Sequence, residues 1–72
     1  MSDMIETGAV KVIEVIGIST TSFEDAVHQA VAKASQSITG INGVEVQSLN
    51  AKVAEGRITQ YRASVKLAFV VR

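Results

Sequence analysis

The sequence contains no cysteine, no proline and no tryptophan, and its only histidine is His28. A disulfide is therefore excluded, and one histidine without a thiol cannot build a transition-metal site of the usual composition. These absences matter because a chain of 72 residues buries only about 60% of the surface that its unfolded form exposes. Domains of this size usually need a disulfide, a metal or a partner chain. We therefore predict that copies of this chain stabilise one another by association.

Neither sign of charge dominates, because seven basic residues balance seven acidic ones. Without a block of like charge, the sequence lacks the electrostatic pattern of proteins that bind nucleic acids or anionic membranes. No apolar run reaches the length of a membrane span, and residues 1–4 lack the basic flank and apolar stretch of an export signal. We expect a cytoplasmic protein with no nucleic-acid partner and no membrane partner.

A segment rich in β-branched residues predicts the first strand. Ala9–Ile16 has the composition of a strand with both faces largely buried, and the strand is predicted to stop at Gly17. We assign residues 1–8 to an N-terminal tail. The whole chain, residues 1–72, is predicted to be a single domain.

An amphipathic helix is predicted next. Thr21 is placed to cap its first free amides, and Glu24, three residues later, completes a capping box. Gly40 is placed to end the helix in the left-handed conformation. The helix would be about 17 residues long, with an apolar stripe made of Phe23, Val27, Ala30, Ala34 and Ile38.

The second half of the sequence predicts a long β-hairpin. One strand runs over Gly43–Ala54, a turn occupies Ala54–Arg57, and the returning strand alternates cleanly between apolar and polar residues from Tyr61 onward. The apolar positions of the first hairpin strand change parity near Gln47. We predict a bulge or a strong bend there, which would let this strand serve two different apolar surfaces.

The predicted fold class is α+β, with element order β-α-β-β. A crossover leaves the first two strands parallel, so the third strand fits between them, antiparallel to both, in the order 1-3-2. One amphipathic helix covers one face of this sheet and no more. The hairpin is expected to project past the helix and to serve as the assembly surface.

Three stretches of the sequence resemble the dodecins. They are VIEVIGISTTSFEDA at Val12–Ala26, GVEVQS at Gly43–Ser48 and YRASVKLAF at Tyr61–Phe69. The resemblance implies a small β-α-β-β subunit that assembles with eleven others into a hollow sphere. It also implies, for many members of the family, that flavins bind in pairs for storage or protection.

Two positions depart from the flavin-binding dodecins. Gly43 stands where those proteins have the tryptophan that sandwiches the isoalloxazine ring, and stacking of this kind contributes about 1 to 3 kcal/mol per ring in related systems. Arg62 stands where they have a glutamine facing the pyrimidine edge, and a guanidinium has donors but no acceptor. The pair Tyr61–Arg62 resembles instead a dodecin subgroup described as calcium-binding.

These comparisons predict a ligand-binding set made of Gly43, Glu45, Gln47 and Arg62. Two interpretations of Arg62 remain open: an ordinary ion pair with Glu45 on the neighbouring strand, or contact with a ligand or anion. Glu45 and Gln47 are either an exposed strand face or part of a Ca²⁺ site. Because Ca²⁺ takes six to eight oxygen ligands, such a site would be shared between subunits, and its location is unknown from the sequence.

No catalytic constellation is present in the sequence. The hydroxyl residues at Ser19–Ser22 lack both the glycine pattern of a nucleotide-binding loop and an activating base at a fixed offset. We expect a non-enzymatic homododecamer that stores or sequesters a small ligand or a cation such as calcium, rather than flavin in the tryptophan-stacked mode. The alternatives are a riboflavin or FMN storage and protection protein with a modified pocket, and a structural shell without a ligand.

Overall fold

The computed structural model describes residues 7–71 and contains one helix and three strands. These elements are β1 (Ala9–Ser19), α1 (Phe23–Ala34), β2 (Ile41–Ala54) and β3 (Arg57–Val71). The strands form one antiparallel sheet in the order β1-β3-β2. The predicted α+β class, the element order and the sheet order are confirmed. The predicted tail, residues 1–8, falls mostly outside the described residues.

The two faces of the sheet follow from the strand register, because residues directly opposite each other in an antiparallel pair point to the same side. We call the face covered by α1 the helix side and the opposite face the outer face. Ala63, Val65 and Leu67 of the central strand lie on the helix side and are completely buried. The core is these three residues together with Ala26 and Ala30 of the helix.

Gly17 lies inside β1, so the prediction that the strand stops there was wrong. The strand continues to Ser19, and Gly17 faces the helix at its closest approach to the sheet. A β-carbon at Gly17 would overlap the carbonyl oxygen of Ala26 and would lie 2.9 Å from the β-carbon of Ala30. The absence of a side chain at Gly17 therefore sets the distance between helix and sheet.

Three single-residue bulges interrupt the pairing of β2 with β3. The register shifts leave Asn42 and Gln47 unpaired on β2 and Thr59 unpaired on β3, where the Thr59 hydroxyl donates to the carbonyl oxygen of Lys52 at 3.3 Å. The predicted bulge near Gln47 is confirmed.

The prediction that this bulge serves two apolar surfaces was wrong. The extra residue restores the alternation, so that the apolar residues before and after it share one face. Their partners on β3 show that all of them lie on the helix side: Val44 opposite Leu67, Val46 opposite Val65, Leu49 opposite Ala63, and Ala51 opposite Tyr61.

The hairpin turn is formed by Glu55 and Gly56, which have φ angles of 55° and 75°. Two central residues with positive φ are typical of the type I′ turn that joins twisted antiparallel strands. The turn predicted at Ala54–Arg57 is confirmed.

The helix begins one residue later than predicted, with Ser22 rather than Thr21 as its cap. The Ser22 hydroxyl accepts a hydrogen bond from the amide of Asp25 at 3.0 Å. The Ser19 hydroxyl accepts from the amides of Thr21 and Ser22 and donates to the Asp25 carboxylate at 2.7 Å. The carboxylate that joins this network is therefore Asp25, not Glu24.

The helix also ends earlier than predicted, at Ala34 after 12 residues. Hydroxyl residues follow at positions 35, 37 and 39, and such side chains compete for backbone hydrogen bonds. The Ser37 hydroxyl, for example, lies 3.5 Å from the carbonyl oxygen of Ala34. Gly40 has the expected positive φ of 81°, but it lies in the loop before β2 and does not end the helix.

Replacing Ser22 with alanine is expected to lower the free energy of unfolding by about 1 kcal/mol, because the amide of Asp25 loses its acceptor. Chemical denaturation followed by circular dichroism measures the change. Thr21→Ala is the matched control and is expected to change the value by less than about 0.5 kcal/mol. A larger loss for Thr21→Ala than for Ser22→Ala would contradict the assignment of the cap.

The outer face of β1 is open and, apart from Glu14, apolar. Four apolar side chains on this face are 51–58% exposed: Val10, Val12, Ile16 and Ile18. The predicted burial of both faces of this strand is therefore wrong for the single chain. Within residues 7–71, no helix has the length and apolar character needed to cross a membrane.

Candidate functional site

The predicted ligand-binding residues lie on the hairpin, and three of the four share the outer face. Gly43 lies opposite Ala68, Glu45 opposite Lys66, and Arg62 opposite Asn50, whereas Gln47 is the unpaired residue of a bulge. The structure therefore brings Gly43 and Glu45 together and leaves Arg62 apart from them.

Of the two interpretations of Arg62, the ion pair with Glu45 is wrong. Arg62 is four residues from Lys66, the partner of Glu45, which corresponds to about 13 Å along the strand. The reason is the register, because a hairpin counted outward from its turn places Lys66, not Arg62, opposite Glu45. The outer face consequently has two separate polar regions.

The first region is a row across all three strands, which we call the glutamate row: Glu14 on β1, Lys66 on β3 and Glu45 on β2. Both glutamates are exposed, and their backbones are about 10 Å apart, twice the spacing of paired residues. In the part of the chain that the structure describes, no ion pair joins Lys66 to either glutamate. On the helix surface, the His28 imidazole lies 3.9 Å from the Glu24 carboxylate, one turn earlier on α1.

A shallow cavity of about 220 Å³ adjoins the glutamate row at Gly43. It is lined by Val12, Gly43, Val44, Glu45, Lys66 and Ala68. A β-carbon at Gly43 would lie 3.5 Å from the β-carbon of Ala68, which is an ordinary contact. Packing within the chain therefore does not require glycine at this position, in contrast to Gly17.

The aromatic residues of the chain are Phe23, Tyr61 and Phe69, and none of them is on the outer face. Tyr61 and Phe69 are helix-side residues of β3, opposite Ala51 and Ile41. The rings of Phe23 and Tyr61 pack edge to face, with centroids 4.9 Å apart and planes at 80°. A planar ligand on the outer face would therefore find no aromatic ring of the same chain on which to stack.

The second polar region surrounds Arg62, and we call it the arginine region. Arg62 lies on the central strand between Ile18 of β1 and Asn50 of β2, and the next pair along the same face is Ser64 with Ser48. The Nε atom of Arg62 is buried and has no hydrogen-bond partner. A buried donor without an acceptor costs about 1 to 3 kcal/mol, and more when it belongs to a charged group.

The described residues contain no group of three or more histidine, cysteine, aspartate or glutamate side chains that would hold a metal ion. The glutamate row supplies two carboxylates with a lysine between them. A single chain therefore falls far short of the six to eight oxygens that Ca²⁺ requires. The other oxygen ligands of a calcium site at Glu45 would come from water, from carbonyl groups or from other subunits.

These features define the class of small α+β proteins in which a three-stranded antiparallel sheet packs one face on a single helix and leaves the other face open. The dodecin family model matches residues 9–72, and the chain belongs to the dodecin family.

Solved dodecin structures agree with this assignment. Dodecin from Streptomyces coelicolor is 26% identical with a TM-score of 0.90, and the match covers 94% of this chain and 97% of that one. Calcium dodecin from Mycobacterium tuberculosis, a calcium-chelating immunodominant antigen with a novel calcium-binding site, is 35% identical. Its TM-score is 0.79, and the match covers 90% of this chain and 93% of the other. A search of curated protein sequences gives no match.

Lys66 and Asn50 were missed as neighbours of the predicted site. The signal was present in the sequence, because a two-residue turn at Glu55–Gly56 fixes the register of both strands. Counting from that turn identifies Lys66 as the partner of Glu45, because the bulge at Gln47 on β2 cancels the shift made by the bulge at Thr59 on β3. Asn50 requires in addition that the bulge at Thr59 be known.

Proposed function

We propose that this chain forms a homododecamer that binds and sequesters a small ligand or a cation, calcium in particular, without catalysing a reaction. Flavin in the tryptophan-stacked mode is not its ligand in this proposal. The main support for this proposal is the outer face of the sheet, which has two exposed carboxylates, at Glu14 and Glu45, and no aromatic side chain.

The similarity to calcium dodecin supports the choice of cation, since that protein is 35% identical over nine-tenths of this chain. Hard oxygen ligands are the ones that calcium prefers. Glu45 lies on β2, an edge strand of the sheet. An edge position allows carboxylates of neighbouring subunits to approach one another, and rotational symmetry would then multiply the ligands around an axis.

Calcium is expected to raise the melting temperature of the assembly, because an ion that binds only the folded state stabilises it by mass action. At a calcium concentration about 100 times the dissociation constant, the stabilisation is about 2.7 kcal/mol. Differential scanning calorimetry with calcium and with chelator measures the shift, and isothermal titration calorimetry measures the binding heat.

Glu45→Gln is expected to reduce the calcium-induced shift, because it removes one carboxylate while keeping the size of the side chain. Glu24→Gln, which removes an exposed carboxylate on the helix, is the matched control and is expected to keep the shift. Identical melting curves and no binding heat at roughly millimolar calcium would leave a ligand-free structural shell. Flavin absorbance in the purified protein would favour flavin storage with a modified pocket instead.

A further inference from the structure

We propose that the arginine region is a binding site for a small oxyanion, a carboxylate or phosphate group, separate from the calcium site proposed above. The glutamate row and Arg62 are about 13 Å apart along β3, so the two sites would not share ligands within a chain. This anion site does not depend on calcium binding, and either proposal can fail without the other.

The first argument is the buried Nε atom of Arg62. The guanidinium is a permanently charged group with five N–H donors and no acceptor. Within the described residues, its Nε has no acceptor and no contact with solvent. If the side chain turned toward an oxyanion bound at the outer face, Nε would gain the missing acceptor, because arginine binds carboxylate and phosphate groups through two parallel hydrogen bonds.

The second argument is the chemistry of the surrounding side chains. On the same face, Arg62 has Asn50 opposite it and the pair Ser64 and Ser48 in the next row. The amide and hydroxyl groups add neutral donors that an oxyanion can use. Ile18, on the other side of Arg62, gives the region an apolar wall, and low polarity strengthens a charge-assisted hydrogen bond.

The third argument is charge. On the outer face, the row beside Arg62 in the direction of the turn pairs Lys52 with Gln60. The three rows around Arg62 therefore have two cations and, among the residues that the structure describes, no carboxylate. The acidic residues of this face are confined to the glutamate row, where Lys66 lies between them. The positive potential at Arg62 is thus not cancelled by a neighbour on the face.

The test is isothermal titration calorimetry of the full-length protein with inorganic phosphate, and separately with acetate, in a buffer of low ionic strength. Arg62→Gln is expected to weaken the association about tenfold or more, the size expected for losing charge-assisted hydrogen bonds. Lys66→Gln is the matched control, because it removes one charge from the same face of the same strand. It is expected to change the association less than about twofold, because water weakens the interaction between charges about 13 Å apart.

Three results would overturn the proposal. They are the absence of binding heat for both anions, equal losses in Arg62→Gln and Lys66→Gln, and an undiminished affinity in Arg62→Gln. Arg62→Lys keeps the charge but not the paired hydrogen bonds, and an intermediate affinity is expected for it. Sedimentation and melting of each variant show whether it still folds and assembles, and the comparison of phosphate with acetate shows which oxyanion the site prefers.

A carboxylate from a second copy of the chain is the competing acceptor for Arg62. Apart from the carboxylates on the outer face and on the helix, the described residues contain one more, that of Glu55 at the exposed hairpin turn. If it occupied the site, phosphate would bind only to Glu55→Gln and not to the unmodified protein. That result would assign Arg62 to the contact between copies and would also overturn the anion site.

Discussion

Replacing Gly17 with alanine is expected to lower the free energy of unfolding by about 3 kcal/mol or more, the upper part of the range for overpacked cores. The new β-carbon would overlap the backbone carbonyl oxygen of Ala26, and the helix backbone cannot move aside as the end of a flexible side chain can. The helix would have to lift away from the sheet and uncover Val65 and Leu67. Thermal and guanidinium unfolding followed by circular dichroism measure the loss.

Gly43→Ala is the matched control, since it adds the same methyl group to a strand of the same sheet. Its β-carbon would make an ordinary 3.5 Å contact with Ala68. Because glycine in a strand interior is less favourable than alanine by roughly 0.5 to 1 kcal/mol, Gly43→Ala is expected to be neutral or slightly stabilising. Equal losses at both positions would show that Gly17 does not set the helix–sheet distance.

Leu49→Glu is expected to break the assembly into smaller species. Leu49 faces the helix side of β2 but remains 50% exposed, as Val44 and Val46 do at 47% each. These three residues form an apolar surface in the single chain, which the proposed dodecamer would bury. A glutamate there would place an unpaired carboxylate in each buried contact, and desolvating a charge costs far more than burying leucine contributes.

Analytical ultracentrifugation at micromolar concentration measures this effect, because twelve chains and one chain differ twelvefold in mass. Ala32→Glu, which adds the same charge at an exposed position of the helix, is expected to leave the assembly intact. Sedimentation of the unmodified protein near the monomer mass would overturn the dodecamer. An intact assembly in Leu49→Glu would show that the helix side of β2 does not hold the subunits together.

Local patterns in the sequence were sufficient to predict the element order, the sheet order and the hairpin turn. The alternation along β3 and the β-branched composition of β1 depend on neighbours in sequence, which is why they were visible. The start of the helix was predicted one residue early because Thr21 and Ser22 are adjacent residues with similar capping ability. Ile38 continues the apolar spacing of the helix, although the chain leaves the helix after Ala34.

The features that were not predicted depend on contacts between distant parts of the chain. Gly17 is inside the strand because α1 packs on it, and nothing in residues 9–19 reveals that contact. The pairing of Arg62 with Asn50 depends on the bulge at Thr59, since a single unpaired residue shifts every later partner. The predicted set stays a prediction: Gly43 and Glu45 lie at the glutamate row, Arg62 in the arginine region, and Gln47 in the bulge between them.

The five-residue core has a thermodynamic consequence for the proposed dodecamer. Its members are three alanines, one valine and one leucine, with Leu67 the largest fully buried side chain. Because the core is so small, folding would depend on the surface that is buried between subunits. Folding and association would then be a single equilibrium. The law of mass action applies to such an equilibrium, and the melting temperature rises with the concentration of the protein. Dilution alone would then unfold the chain, as heat or denaturant does.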